Sequence, residues 1–547
     1  MSAIKDKEQR HSRLVLGALL VYLGISVAAI WTHRYHINPD GTAYLDIARS
    51  YLAGHWECAI NAYWSPLFSW LIVPWLAVGV NALLAAKIVT WLCGLAVVVA
   101  MRRVARTLGV TPHVLNVLSV GLLGFVLARE VTVVCPDLLT AAVLLFGLAV
   151  VVSPAYDRDV WRGPVAGALG ALGYLAKAYA LPFFLLHFVL VNAIQWRWAG
   201  PGAPRRRVVR NLVTGLFVFA GLCAPWVGVL RAKYGQTMLG SAGQINLRLY
   251  AFGSRGHVHG WAGLLALPHA DATSSWDDPT PLADQMVRWA PWASAAALKH
   301  QFLVVVRTTY MAFRHTVLAM PFLVVVLVVG LQHLRGGHWD HDERRGLWLL
   351  LLSAGLYTAG LLPMYVEERY LFYALVVGVV LTAVVVERLL RAGALHGPGA
   401  TLVLWSLAAA LALPALLELR DTHSLGRDDY TTAVALRDAH GVRGNLASNG
   451  RWQESLQLAF CLNGKYLGKS RAGLSAPEFI HELREHGVDY YLVWNDGAAY
   501  TDALSGCREL DCGTLKSLRV YDVRSLRAGA EGGRPPLCFS ADSVVLP

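Results

Sequence analysis

Charged side chains are scarce in this sequence. Aspartate, glutamate, lysine and arginine make up 15% of its 547 residues, whereas a soluble domain contains about 25%. Hydrophobic residues make up 56%, and the mean hydropathy is +0.45. Apolar runs of about 17–22 residues recur along the chain as far as residue 420, and each can cross a hydrocarbon core of roughly 30 Å. The composition excludes a soluble protein and predicts a polytopic membrane protein.

The sequence also lacks features that mark other membrane proteins and nucleotide-dependent enzymes. It has no glycine-rich loop of the nucleotide-binding types, no internal repeat and no low-complexity tract. Transporters tend to have repeats and charged or broken helices at the midplane of the bilayer. A transporter or flippase of lipid-linked sugars, without transferase chemistry, is therefore only the main alternative from another class.

The apolar runs predict about eleven transmembrane helices. The first, residues 14–31, is too long for the apolar core of a cleaved signal peptide, so we expect a retained helix with its N-terminus in the cytoplasm. Residues 66–80 are bracketed by Pro66 and Pro74 and are predicted to be juxtamembrane or re-entrant. The other spans are predicted near residues 83–101, 113–128, 138–153, 163–176, 179–195, 211–230, 316–333, 347–362, 371–387 and 400–417.

Arginine is concentrated in one set of the loops between these runs, for example at 102–106 and 197–210. The positive-inside rule makes those loops cytoplasmic. They account for much of the net charge of +12, and charge divided among short loops does not indicate a nucleic-acid surface. We predict a multi-pass protein of the inner or plasma membrane, surrounded by lipid bilayer, with no nucleic-acid partner.

The opposite set of loops carries different chemistry. It contains Asp40, Asp137, Lys177 and the run Glu367–Tyr370, all close to predicted helix ends, and a long segment over residues 231–315. Because the topology rests on the arginine-rich loops, this grouping of acids, cations and tyrosine is an independent observation. It predicts an active site on the extracytoplasmic face.

The chain changes character after residue 420. Charge rises, and apolar runs shorten to strand length at 444–448, 488–494 and 518–523. Ser475–Glu478 matches a capping box with proline in the first turn, which predicts a helix to about residue 485; another helix is predicted at about 430–440. The sequence thus predicts a membrane domain over residues 1–420, with a first external loop at 32–82, and an extracytoplasmic α/β domain over residues 421–547.

The predicted C-terminal domain holds four of the eight cysteines, namely Cys461, Cys507, Cys512 and Cys538. In an oxidising compartment they could form two disulfides. Three pairings are possible, and the sequence does not choose among them.

Residues 38–67 directly follow the first predicted span. Asp40 lies just outside the hydrocarbon, and Tyr44 and Ile47 lie on one face of a short helical pattern that the aromatic pair Tyr63 and Trp64 follows. An amphipathic helix of this kind lies in the membrane interface rather than crossing it. Asp40 is thereby placed where a water-soluble acceptor could meet a lipid-linked donor.

These features resemble the GT-C glycosyltransferases, in the branch that includes protein O-mannosyltransferases and lipid A aminoarabinose transferases. The resemblance covers about residues 10–390 and rests on four short motifs: Asp40-x-x-x-Tyr44-x-x-Ile-Ala-Arg, Tyr63-Trp-x-Pro-Leu, Pro136-Asp137 and Glu368-Arg369-Tyr370. Many relatives have a second acid directly after the first, whereas Gly41 follows Asp40 here. This departure argues against paired carboxylates, and against a metal, at this position.

The resemblance implies a mainly α, GT-C-like fold and transfer of a sugar from a polyprenyl phosphate carrier to an extracytoplasmic acceptor, without a cofactor. It implies that Asp40 is the catalytic base and that a single displacement inverts the anomeric carbon. The donor phosphate would be bound by Lys177, Arg369 and Tyr370, and substrate would be contacted by Tyr44, Tyr63, Asp137 and Glu368. The acceptor could be a glycolipid, a polysaccharide or a protein, and a lipid-linked polymerase or ligase is the alternative among enzymes.

Each candidate residue also has a purely structural interpretation. Asp40 and Asp137 could be helix N-caps, and Lys177 could extend from a span end to the interface. Arg369 could pair with Glu368. The nearly uncharged surroundings of Lys177 and the planar fork of Arg369 favour phosphate binding.

The external segment 231–300 contains histidines and acids that could be taken for a metal cluster: His257, His259, His269, Asp271, Asp277 and Asp278. A His-x-His pair in a long polar loop is a weak metal signal, so we predict a flexible acceptor-binding loop and no metal. The tryptophans of this segment could form an aromatic belt at the membrane interface or stack on sugar rings; they are Trp261, Trp276, Trp289 and Trp292.

Overall fold

The computed structural model describes residues 20–335, 341–495, 502–511 and 517–527, together with Gly17. Helices form most of the chain up to residue 421. They are α1 (Leu20–Thr32), α2 (Pro39–Ala53), α3 (Trp56–Ala59), α4 (Leu67–Ala77), α5 (Ala82–Thr107), α6 (Pro112–Thr132), α7 (Asp137–Val151), α8 (Arg162–Ala176), α9 (Ala180–Trp198), α10 (Ala203–Tyr234), α11 (Ala242–Leu249), α12 (Ala295–Ala319), α13 (Leu323–Arg335), α14 (His341–Ala359), α15 (Phe372–Arg391) and α16 (Gly397–Asp421).

The predicted spans overlap these helices, but one of them is not a continuous helix. The predicted span 316–333 is wrong, because α12 ends at Ala319 and α13 begins at Leu323, with the axes bent by 98°. Pro321 lies at the break and disfavours helical backbone at the residue before it. Within the described residues six helices are long and apolar enough to cross a membrane, or seven if the bent pair counts as one. The number of eleven spans stays a prediction.

Close packing of glycine-bearing helices sets the geometry of the bundle. A Cβ on Gly167 of α8 would lie 2.1 Å from the backbone oxygen of Gly215 in α10, and one on Gly121 of α6 would lie 2.7 Å from that of Ala408 in α16. Small residues at such crossings let helix backbones approach closely in a membrane. These contacts fix α6 and α8, whose ends lead into the polar turns at 133–137 and at Lys177.

The C-terminal domain consists of a five-stranded sheet and helices, as expected for the predicted α/β class. Strands β1 (Asn445–Ser448), β2 (Lys465–Lys469), β3 (Tyr490–Trp494), β4 (Arg508–Leu510) and β5 (Leu518–Asp522) lie in the order β2-β1-β3-β5-β4. β1 is parallel to β2 and β3, and β5 is antiparallel to β3 and β4. The helices are α17 (Arg427–His440), α18 (Trp452–Cys461) and α19 (Ala476–Glu485).

The predicted capping box at the start of α19 is confirmed. The Ser475 backbone N–H donates to the Glu478 carboxylate over 2.8 Å, and Pro477 lies in the first turn. Of the four cysteines, Cys461 and Cys507 carry free thiols and are not joined to each other. Cys512 and Cys538 lie outside the described residues.

The external segment joins the membrane helices to the C-terminal sheet. Its Leu265 N–H donates to the Leu467 carbonyl, and the Tyr466 N–H donates to the Thr273 carbonyl, both over 2.7 Å. The segment therefore covers the edge of β2, an edge that would otherwise leave backbone groups unpaired. On the other side of the domain, Arg49 of α2 lies over the ring of Phe460, 4.9 Å from its centre. The C-terminal domain thus packs against α2, the helix that carries Asp40.

A half-buried acid in α17, Asp429, predicts a pH-dependent stability of this domain. Burial, with Glu454 and Asp428 nearby, raises the pKa of Asp429 to about 6. Because this folded value lies above the unfolded one, stability is lost as pH rises from about 4 to about 6. Asp429→Asn in the full chain should therefore unfold at a higher temperature than the wild type at pH 7 and at the same temperature near pH 4. The exposed Asp438→Asn is the control; an equal difference at both pH values would contradict the assignment.

Candidate active site

Asp40 lies in the first turn of α2 and points to another part of the bundle. The helix begins at Pro39 with Asn38 as its N-cap, so the interpretation of Asp40 as an N-cap is wrong. The Asn38 side chain instead accepts a hydrogen bond from the Val134 N–H over 2.8 Å. This contact ties α2 to the turn after α6. The carboxylate of Asp40 is left to accept from Arg369 Nη1 over 2.8 Å.

Close packing explains why a glycine, Gly41, follows Asp40. A Cβ on Gly41 would lie 2.9 Å from the Cβ of Val134, a distance that real Cβ atoms essentially never show. A second acid at this position would force α2 away from the turn at residues 133–137. The absence of paired carboxylates therefore follows from the close approach of these two segments.

Arg369 uses each nitrogen of its guanidinium. Nη1 donates to Asp40 over 2.8 Å, Nε donates to Glu367 over 2.6 Å, and Nη2 lies 3.4 Å from the hydroxyl of Tyr370. Its side chain is 15% exposed, so these charges meet where water is limited. The expected pairing of Arg369 with Glu368 is wrong, because the 3₁₀ turn at Glu368–Leu371 directs the two neighbouring acids to different partners.

Glu368 belongs to a second ion-pair network beside the first. Its carboxylate accepts from Arg129 over 2.5 Å, and Arg129 also donates to Glu418 of α16. Arg129 thereby joins the end of α6, the turn before α15 and the end of α16. The network holds the turn that carries Arg369.

Lys177 occupies the break between α8 and α9. Its ammonium pairs with Asp137, whose side chain is 3% exposed, and it lies 4.5 Å from the ring centre of Tyr370. Asp137 is the first residue of α7, after the N-cap Pro136, so its interpretation as an N-cap is wrong too. Lys177 and Arg369 both lie against the ring of Tyr370, so two distant parts of the chain bring their cations to the same side chain.

Aromatic rings form the wall next to Asp40. Tyr44 is 4% exposed and packs edge-on against Trp64 and Phe68. Burial, and then the carboxylates of Asp40 and Asp137, raise the pKa of the Tyr44 phenol well above its usual value, so this group is neutral. Tyr63 donates its hydroxyl to Asn246 over 3.1 Å and packs on Trp276 of the external segment.

The external segment is packed more closely than predicted. Trp276 is 4% exposed, and its carbonyl accepts from the indole of Trp64 over 3.0 Å. His257 lies between Trp276 and Trp452 of α18, with ring centres 4.2 and 4.5 Å away. Burial lowers the pKa of His257 to about 4. This neutral ring connects the membrane site to the C-terminal domain.

The acids of this segment are held by other partners. Asp271 accepts from His55 over 2.6 Å, Asp277 from the Thr273 N–H over 2.7 Å, and Asp278 from Tyr234 over 2.7 Å. Among the described residues no group of three or more histidines, cysteines and acids is arranged to hold a metal ion.

The four tryptophans of the segment differ in their surroundings. Trp276 is buried, Trp261 is partly covered, and Trp292 is 75% exposed. The indole of Trp289 donates to Gln301 over 2.7 Å. Only part of this set therefore has a surface free for lipid or sugar.

Two further charged groups, in α5 and α6, were not predicted as site residues. Lys87 of α5 is fully buried and donates to the Val131 carbonyl over 2.7 Å, and Arg129 forms the network described above. Both lie inside or at the end of an apolar run, and an ionisable residue at membrane depth is itself a signal of function or of a specific partner. Glu367 was not predicted as a site residue either, although it is a direct partner of Arg369.

Arg129→Gln tests the supporting network. It removes the cation from Glu368 and Glu418, which are only 27% and 31% exposed. We expect the free energy of unfolding of the full chain to fall by about 1.5–3 kcal/mol, the contribution of hydrogen bonds to charged groups. Arg129→Lys should restore part of it. Denaturant unfolding of the detergent-solubilised protein measures the change, and an unaltered midpoint in Arg129→Gln would show that the network does not hold the turn.

No family model matches the sequence, and no curated protein matches it. The mainly helical membrane fold with a small C-terminal sheet, which the sequence resemblance predicted, is shared with solved structures. Among solved structures it is similar to ArnT from Cupriavidus metallidurans in the apo state, with a TM-score of 0.54, 13% identity, and 93% of this chain and 99% of that chain covered. It is also similar to the same ArnT bound to undecaprenyl phosphate, with a TM-score of 0.56, the same identity and the same coverage.

Proposed function

We propose that this chain is a membrane glycosyltransferase that moves a sugar from a polyprenyl phosphate carrier to an acceptor hydroxyl outside the cytoplasm. The observation that carries the proposal is the joint contact of Lys177 and Arg369 with Tyr370, next to the carboxylate of Asp40. The fold supports it, since a structure of similar fold, ArnT, has been solved with undecaprenyl phosphate bound. The C-terminal domain and the external segment would lie on the same side as the site.

Asp40 is proposed as the general base. Its carboxylate takes the proton of the acceptor hydroxyl as the acceptor oxygen bonds to the anomeric carbon. In the same displacement the bond from that carbon to the donor phosphate oxygen breaks, and polyprenyl phosphate leaves with one more negative charge. A single displacement inverts the anomeric configuration.

Lys177 and Arg369 are proposed to stabilise the leaving phosphate. Their effect on the rate comes from charge that grows during the reaction, because an interaction that is stronger in the transition state than in the ground state lowers the barrier. An ammonium has three donors, and Asp137 accounts for one ion pair of Lys177. A phosphate can therefore join Lys177 without displacing Asp137.

Arg369 is different, because its donors already face Asp40, Glu367 and Tyr370. We infer that a donor phosphate that takes two parallel N–H bonds from this guanidinium competes with a carboxylate for it. When the phosphate replaces Asp40, the base is released from its ion pair at the moment the donor is in place. Binding of the donor would in this way activate the base.

The test uses the purified chain in nanodiscs, a panel of polyprenyl-phosphate sugars and an extract of cell-envelope acceptors. We expect one donor to lose its sugar to an acceptor, with release of polyprenyl phosphate detected by mass spectrometry and with inverted configuration by NMR. Movement of intact donor across the membrane without any transfer would favour the flippase instead. Transfer with retained configuration would contradict the single displacement.

A further inference from the structure

A second candidate site lies at the end of the bundle opposite Asp40. There α5, α7 and α8 enclose a cavity of about 740 Å³, within the range of about 300–1,000 Å³ that small-ligand sites occupy. Arginines line one part of it, and apolar side chains of the three helices line the rest. The polar part consists of Arg102, Arg103, Arg106 and Arg162.

The positive charge of this cavity is largely unbalanced. Within the described residues, Arg102, Arg103 and Arg106 form no ion pair; Arg102 donates to the neutral side chains of Ser119 and Asn116, over 2.8 and 2.9 Å. Arg162 pairs with Asp159 over 2.9 Å. Four arginines thus face one acid, and the cavity presents a net charge of about +3 to anything that enters it.

A neighbouring cavity at the same end shows that this imbalance is not a general property of the surface. It measures about 240 Å³ and is lined by Arg388 and Arg391. There Glu343 lies 3.6 Å from Arg388 and 3.8 Å from Arg391, and Glu387 lies 3.1 Å from Arg391. The chain supplies acids to the arginines of one cavity and leaves those of the other without them.

The apolar part of the large cavity opens along the helices. Val99 of α5 is 57% exposed, Val165 of α8 is 37% exposed, and Trp161 at its rim is 51% exposed. Surface of this kind faces the hydrocarbon of the bilayer, and a tryptophan beside it is typical of the membrane interface. A ligand that satisfies both parts needs an anionic head group and an apolar tail.

We propose that this cavity binds one acidic phospholipid of the leaflet on the arginine-rich side. Its phosphate lies among Arg102, Arg103 and Arg106, and an acyl chain lies against Val99 and Val165. The assignment does not depend on the glycosyltransferase activity, since none of these residues belongs to the Asp40 site. A free inorganic anion is also negatively charged, but it has no apolar part that could contact Val99 and Val165.

The experiment measures lipid retention by native mass spectrometry of the purified full chain. The probes are phosphatidylglycerol, zwitterionic phosphatidylcholine as the control lipid, and inorganic phosphate as competitor. We expect the wild type to retain phosphatidylglycerol in preference to phosphatidylcholine, and R103Q/R106Q to weaken its binding roughly 10–30-fold. The control R206Q/R207Q removes the same charge at the same end of the bundle but outside the cavity, and should bind as the wild type does.

A third variant separates the lipid from a free anion. Val165→Trp keeps every arginine and fills part of the apolar wall, so it should weaken lipid binding and leave any binding of inorganic phosphate unchanged. Equal losses of lipid binding in R103Q/R106Q and R206Q/R207Q would show that general surface charge causes the effect, and would overturn the proposal. So would displacement of the lipid by millimolar inorganic phosphate, or full lipid binding by a correctly folded Val165→Trp variant.

Discussion

Asp40→Asn is expected to lower turnover by roughly 10²–10⁴-fold, the contribution of a positioned general base. The amide has nearly the shape of the carboxylate but cannot take the acceptor proton. It also gives up the charge that binds Arg369 over 2.8 Å. Because Asp40 and the donor phosphate compete for that guanidinium, the variant should bind polyprenyl phosphate at least as tightly as the wild type.

This combination of slow turnover and undiminished donor affinity distinguishes a base from a residue that only supports the fold. The matched control is Asp284→Asn, an exposed acid of the external segment, which should change neither quantity. Single-turnover kinetics and lipid binding in nanodiscs measure both. Wild-type turnover in Asp40→Asn would show that Asp40 is not the catalytic base. Weaker donor binding would show that Asp40 does not compete with the phosphate.

Removing either cation of the site is expected to affect both binding and chemistry. Arg369→Ala and Lys177→Ala should weaken the binding of polyprenyl phosphate roughly 10–150-fold, as expected for hydrogen bonds to a charged group. Each should also slow the single-turnover rate by about 10²–10³-fold, because the leaving phosphate gains charge in the transition state. Arg369→Lys should recover only part, since it loses the planar fork.

The controls for these variants are Arg288→Ala and Lys299→Ala, which remove exposed cations of the external segment and of α12. Lys177→Ala leaves Asp137 buried without its cation, so its folding should be checked by thermal unfolding, and Lys177→Gln offers a milder change. If both alanine variants fold and keep wild-type affinity and rate, the two cations do not share a phosphate.

The sequence predicted that Asp40, Lys177 and Arg369 lie near one another, and the structure brings them together, but the sequence did not predict which side chains pair. Alternation of arginine-rich and acid-bearing loops places Asp40, Lys177 and Arg369 at one end of the bundle, and this follows from hydropathy and charge alone. The partner of Arg369 could not be read in the same way. Asp40 is 329 positions away, and a single 3₁₀ turn sends Glu367 to Arg369 and Glu368 to Arg129.

The same holds for the fold: elements with a clear local pattern were predicted, and features that depend on distant contacts were not. Long apolar runs predicted most helices of the bundle, but a continuous run over residues 316–333 concealed the bend at Pro321. In the C-terminal domain, β1, β3 and β5 were predicted from their apolar residues, whereas β2 and the short edge strand β4 were missed. β2 has lysine at both ends, and it is buried because the distant external segment covers its edge. When a distant segment buries a strand, the sequence of that strand has no local pattern that predicts the burial.

The most direct test of the account is mass spectrometry of envelope glycolipids, polysaccharides and proteins from cells that carry the wild-type chain, no chain, or Asp40→Asn. We predict that one envelope component loses the mass of one sugar in cells without the chain, and that the wild type and Asp284→Asn restore it. Asp40→Asn should accumulate in the membrane to the wild-type level and fail to restore it. An unchanged envelope in the deletion strain, or full restoration by Asp40→Asn, would contradict the assignment of this site as a glycosyltransferase centre.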